Sequence, residues 1–189
     1  MARRPVKGGI AFRLMPDTRG FDRIVELPDD GLRQKEVYAR FGLVAYQAQV
    51  FDHALVNLLT VAGTIGQKLT TADVDRFMAD LFQKTAGALV NEVSRDLHLD
   101  VADLETCRKA VVERNRLIHR FFREHAENFM TSSGQQRMLD DLGDIADVIA
   151  QADKACHHMM MTIGEPHGFT AEVVSEHLEA MERIESSDK

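Results

Sequence analysis

Three side chains able to hold an anion and move a proton fall within one short stretch: Arg114, Asn115 and His119, in Glu113-Arg114-Asn115-Arg116-Leu117-Ile118-His119-Arg120-Phe121-Phe122. A guanidinium offers a planar fork of donors that suits phosphate oxygens. An imidazole exchanges a proton near neutral pH. An amide can orient either one. A helix turns about 100° per residue, so positions three and four apart share a face. Asn115 and His119 are therefore neighbours on one flank. Leu104, Val111 and Ile118 recur at heptad spacing, interleaved with Cys107 and Phe121. Arg114 takes the place between those last two. A charge on a stripe that should face other helices costs several kcal/mol unless it is paired or wet.

The stretch resembles the signature of HEPN domains, small helical modules common in bacterial toxin and antiphage systems. Their motif is Arg, a polar residue, and His after four to six intervening residues. Here Arg114 and Asn115 are followed by three residues and then His119. The surrounding "ERNRLIHRFF" looks like the motif helix of bacterial members. Residues 41–59, "FGLVAYQAQVFDHALVNLL", look like their leading helix. From the first of these stretches to the last, residues 41–122, the resemblance spans a little under half of the chain.

The resemblance implies a helical bundle acting as a metal-independent endoribonuclease on RNA. His119 would be the general base toward a ribose 2′-hydroxyl. Arg114 would hold the scissile phosphate, and Asn115 would orient His119 or bind that phosphate. Family sites usually combine the motifs of two subunits, which implies a homodimer. An antitoxin or other regulatory protein is a further implied partner, in a toxin–antitoxin or antiphage defence setting. Many antitoxin-paired members carry Tyr two residues after the His. This chain has Phe121 there, so control by modification of that tyrosine is not implied. Some HEPN domains are catalytically silent and serve for dimerisation or for RNA or nucleotide binding, which is the alternative reading.

Positioning these groups requires a packed scaffold. The chain has 189 residues, 44% hydrophobic, with 4 prolines and 2 cysteines, which suits one helical domain able to fold alone. No apolar run nears the roughly 18 residues of a membrane span, and no apolar signal core of about 7–15 residues follows the basic N-terminus. A cytoplasmic protein with no membrane partner is expected. The net charge of −7 argues against a general nucleic-acid coat. Yet residues 126–189 hold 13 acidic and 4 basic residues, which leaves the rest of the chain slightly basic. Cys107 and Cys156 fall on apolar stripes and read as buried, reduced thiols. Cys156-His157-His158 suggests a metal at first sight. Adjacent helical histidines point about 100° apart and do not share an ion, so no metal or cofactor is expected.

The fold class expected is all-α: an antiparallel bundle of about five to six helices, with no strand alternation anywhere. Residues 1–31 carry Gly8, Gly9, Pro16, Gly20, Pro28 and Gly31 and read as a basic arm or irregular segment. The bundle domain is expected over 32–185, followed by a frayed tail at 186–189. A first helix at 32–65 has its seam at Val37, Val44, Phe51 and Leu58, interleaved with Phe41, Ala48, Leu55 and Ala62. Asp52 lies about 60° from Val37 on the wheel, within reach of Arg114 or His119, or else solvated at the stripe edge. Thr70 with Asp73 caps a second helix over 72–83, with Val74, Phe77, Met78, Leu81 and Phe82 on one face. A short helix follows through Leu89 and Val93. Lys84 and Thr85 interrupt little, so 72–94 also fits one bent element. Asp100 caps the motif helix, expected over 101–129, where Arg108, Arg116, Arg120 and Arg123 read mainly as a solvated face and His125 as a packed residue. Ser132 and Gln135 have capping-box spacing before a helix to Met161, with seams Met138, Ile145, Ala152, Met159 and Leu142, Ile149, Cys156. A last helix is expected to run to about Ile184.

Overall fold

The heptad seams fold as their spacing requires. In the computed structural model, which describes residues 31–97, 100–170 and 172, five α-helices follow one another: α1 Leu32–Thr64, α2 Thr71–Phe82, α3 Ala86–Asp96, α4 Val101–Glu124 and α5 Ser132–Gly164. Two single 3₁₀ turns, Asn128–Met130 and Glu165–His167, flank α5. Among the described residues there is no strand. The expected N-terminal arm, the last helix to Ile184 and the tail lie outside the described residues, apart from Gly31, Thr170 and Glu172.

Every member of the α5 seams is buried, and so are Val37, Val44, Phe51 and Leu58 of α1 with Ala48 and Leu55. From α4 the core takes Leu104, Cys107, Ala110, Leu117 and Phe121. Fully burying such a side chain is worth about 1.5–3 kcal/mol, so the three-way junction of α1, α4 and α5 carries most of the stability. Cys107 and Cys156 are buried free thiols with sulfurs 3.7 Å apart, one more contact of the α4–α5 seam.

The residue pairs across the seams fix directions that the heptads left open. Asp52 meets Arg114 while Phe41 meets Phe121 and Phe122, so α4 runs antiparallel to α1. Asp103 meets His158 while Arg116 meets Asp141, so α4 is antiparallel to α5 as well. α1 and α5 therefore run in the same direction, starting together where Arg33 donates to Gln136. Beyond the end of α1 the chain reverses. The capping box of Thr70 and Asp73 opens α2, and the Phe77 ring of α2 sits over Gly63, where a Cβ would lie 2.7 Å from its Cζ.

Of the two readings open for residues 72–94, the structure has the two separate helices and not one bent element, because Thr85 starts α3 afresh by accepting the Ala88 N–H. Several other boundaries differ from expectation. α4 stops at Glu124, not near 129. His125 Nε2 is drawn onto Asp141 at 2.7 Å, and the chain turns into the 3₁₀ segment at Asn128. The cap of α5 is Thr131, whose hydroxyl accepts the Gly134 N–H, in place of Ser132 with Gln135. Gly134 must lack a side chain, since a Cβ there would collide with the backbone of Asn128. α5 continues past Met161 to Gly164. On α4 the buried line passes through Leu117 rather than Ile118, which stays 41% exposed.

Candidate functional site

The motif residues sit midway along α4, where four segments converge on an open cleft of about 610 Å³. α4 supplies Arg114, Asn115 and His119; α1 supplies Asp52 and Val56. Phe82 ends α2, and Lys84 and Thr85 form the short link to α3. The first turn of α3, with Ala86 and Gly87, closes the far wall. All four residues singled out from the sequence, Asp52, Arg114, Asn115 and His119, thus line one space.

Arg114 is tethered on two sides. Its Nη2 lies 2.7 Å from Asp52 Oδ2, and its Nη1 donates to Asn115 Oδ1 at 3.1 Å. Of the two roles open to Asp52, the structure realises the one toward Arg114. Asn115 likewise turns its carbonyl oxygen to Arg114 and not to His119. The pairing explains how a charge survives on the apolar stripe. Each partner is about three-quarters buried, but each meets an opposite charge. Arg114 Nε and Asp52 Oδ1 are buried with no hydrogen-bond partner, so the pair is held by one bond rather than a two-pronged fork. His119, one turn from Asn115, is exposed at the cleft, and among the described residues none hydrogen-bonds it.

The far wall escaped the sequence reading. Lys84 Nζ pairs with Glu92 Oε2 at 2.6 Å and adds a second cation. The opening N–H groups of α3 have no intrahelical acceptors, as at any helix start, and carry the positive end of the helix dipole. The Thr85 cap takes the Ala88 N–H and leaves those of Ala86 and Gly87 at the cleft. The capping pattern of Thr85 was the available signal, but its direction depends on how α2 and α3 fold back.

A second group fixes the C-terminal half of α4. Asp141 on α5 accepts from Arg116 Nη1 and Nη2 at 2.9 and 2.6 Å and contacts His125 Nε2 at 2.7 Å. Asn128 reaches His125 Nδ1 at 3.0 Å, and Arg137 donates to Asn128. Arg116, expected on a solvated face, is thus a half-buried clasp, and His125 is a packed residue with partners. Burial pushes the Asp141 carboxyl up, but hydrogen bonds from Arg116 and His125 outweigh it and hold Asp141 below its ordinary value. Asp141 in turn holds the Arg116 proton more firmly. The clasp ties α4 to α5 on either side of His119 in the sequence, at Arg116 and His125.

Elsewhere, His158 Nδ1 sits 2.7 Å from Asp103 at the surface, and His157 does not join it. Among the described residues no three His, Cys, Asp or Glu side chains gather as a metal site. No described helix is long and apolar enough to cross a membrane.

The cleft thus brings together a tethered guanidinium, an amide, a free imidazole, a lysine and a helix start. Such a set can hold an anionic group and exchange a proton beside it. Comparison with protein-family models, with curated proteins and with solved structures finds no match for the chain.

Proposed function

We propose that the protein is a HEPN-like, metal-independent endoribonuclease. The observation that carries the proposal is the convergence of Arg114 and His119 on one open cleft, with Arg114 tethered by Asp52. In this reading a phosphodiester of RNA enters the cleft. His119 takes the proton of the adjacent 2′-hydroxyl. The 2′-oxygen bonds to phosphorus, the P–O5′ bond breaks, and the departing 5′-oxygen takes a proton from water. The products are a 2′,3′-cyclic phosphate and a 5′-hydroxyl. Arg114 neutralises charge gathering on the phosphate oxygens, and Lys84 with the start of α3 offers a place for a neighbouring phosphate. Uncatalysed RNA cleavage takes the same route, so the chemistry asks for no metal.

The working unit is a homodimer. Ile118 and Phe122 are exposed one turn apart on α4, beside Asn115 and His119, and Tyr38 of α1 packs against Phe122. A two-fold contact through this apolar flank would set two motifs side by side. The family resemblance adds a regulatory protein partner and a role in toxin–antitoxin or antiphage defence.

One observation favours a second reading, a catalytically silent module for dimerisation or RNA binding. The 2.7 Å pair of Arg114 with Asp52 is also what a purely structural arginine would make. Induced expression in bacterial cells separates the two. Growth arrest by the wild type, relieved by His119→Ala at equal protein level, supports the nuclease. Equal growth of both strains supports the silent module.

A further inference from the structure

Phe82 is an aromatic residue at the end of a helix that does not use it for packing. Its neighbour Leu81 is buried, whereas Phe82 keeps 44% of its surface exposed and lines the same cleft as Arg114 and His119. Its placement differs from the single apolar face expected for α2. The ring is held in place. His53 of α1 stands against it with ring centroids 4.8 Å apart at 61°, an edge-on contact that steadies one orientation. The cations Lys84 and Arg114, each ion-paired at one side, line the same cleft. A flat, exposed ring sharing a cleft with two cations matches the design of single-strand nucleic-acid sites, where bases stack on aromatic side chains.

We infer that Phe82, steadied by His53, is a stacking subsite for an unpaired nucleobase next to the phosphate bound at Arg114. The inference rests on the ribonuclease reading and narrows its substrate to single-stranded RNA. In a duplex the base faces are already stacked, and a side chain cannot reach them without unstacking the pair. Because every base has a π-face, the subsite selects strandedness and not sequence. Phe82 is here a binding residue that positions the strand; His119 and Arg114 keep the chemistry.

The test uses a short single-stranded 2′-O-methyl RNA, which lacks the attacking hydroxyl, with 2-aminopurine as a fluorescent base. A second arm uses the same strand annealed to its complement. Wild-type protein is expected to bind the single strand and quench the 2-aminopurine. Phe82→Leu keeps apolar bulk but removes the flat ring. It should weaken binding by about five- to a hundredfold and abolish the quench. Phe82→Tyr should restore both. Circular dichroism checks that each variant stays helical. The duplex should bind more weakly than the single strand, and Arg114→Ala should weaken binding of the single strand. If Arg114→Ala weakens binding while Phe82→Leu does not, the stacking subsite is overturned and the RNA-binding cleft stands. If Phe82→Leu weakens single strand and duplex alike, the ring is merely structural and the inference falls. If the wild type binds neither arm, the inference falls together with the reading beneath it.

Discussion

Arg114 of α4 and Asp52 of α1 are 62 residues apart in the chain and 2.7 Å apart in the fold. Both residues line the cleft, and the guanidinium is bonded through Nη2 to Asp52 and through Nη1 to Asn115. Asp52→Asn removes the charge and keeps the shape. It should cost about 1–2 kcal/mol of stability, measured by urea unfolding, because the pair is only partly buried. It should also lower kcat/KM on RNA by about ten- to a hundredfold, since small displacements of a positioned group are costly. Unchanged cleavage in a destabilised Asp52→Asn protein would assign the pair to structure alone.

The clasp at Asp141 gives a pH-dependent prediction. Its carboxyl is held below the ordinary range by Arg116 and His125 against the opposing effect of burial. A depressed folded value means that the stabilisation is present above the unfolded value of about 3.9 and is lost as pH falls through the folded value. Asp141→Asn should therefore cost about 1–2 kcal/mol at pH 7, with solvent screening of a partly exposed carboxyl taken into account. The gap between variant and wild type should narrow as the pH falls below about 4. A gap that stays constant from pH 7 down to acid would contradict the account.

Asp153 has the opposite sign. Burial pushes its carboxyl up to about 6. The fold prefers the neutral acid, so ionisation above that pH works against folding. Asp153→Asn should stabilise the protein at pH 7 by about 1–2 kcal/mol, with screening by solvent at a partly exposed carboxyl taken into account. The gain should vanish below about pH 4. Thermal unfolding at the two pH values reads it directly, and a destabilised variant at pH 7 would reverse the sign argued here.

Much of this frame was legible in the chain. The seams of α1 and α5 obey a heptad, and burial acts on period, so Val37 to Leu58 and Met138 to Cys156 could be placed without coordinates. Caps at Thr70 and Asp100 are local bonds spanning two or three residues. Arg114 stood out because a charge on an apolar stripe needs a partner, and the helical wheel offered Asp52. The clasp was not legible. Arg116 and Asp141 meet only through the relative offset of α4 and α5, which a heptad does not set. The stop at Glu124 was hidden for the same reason, since no local breaker marks it and the tertiary pull on His125 does. Phe82, Lys84 and Thr85 joined the cleft only once the reversal of α2 and α3 was known.

The proposed dimer would form through the exposed flank of α4. Ile118 is 41% exposed and adjoins the motif face, so Ile118→Asp should leave the monomer folded. Light scattering should give a dimer for the wild type at micromolar concentration and a monomer for Ile118→Asp. Loss of RNA cleavage should accompany the change. A wild-type monomer, or a fully active Ile118→Asp monomer, would remove the composite site.

In the proposed chemistry His119 and Arg114 cleave RNA through the 2′-hydroxyl. The most direct measurement is the end chemistry of a synthetic RNA incubated with purified protein in excess chelator. The expected products carry a 2′,3′-cyclic phosphate and a 5′-hydroxyl, and they are absent with His119→Ala and with Arg114→Ala. Arg114→Lys should fall short of full activity, because a point charge lacks the planar fork. Equal cleavage by wild type and both alanine variants, or products bearing a 5′-phosphate, would contradict the account.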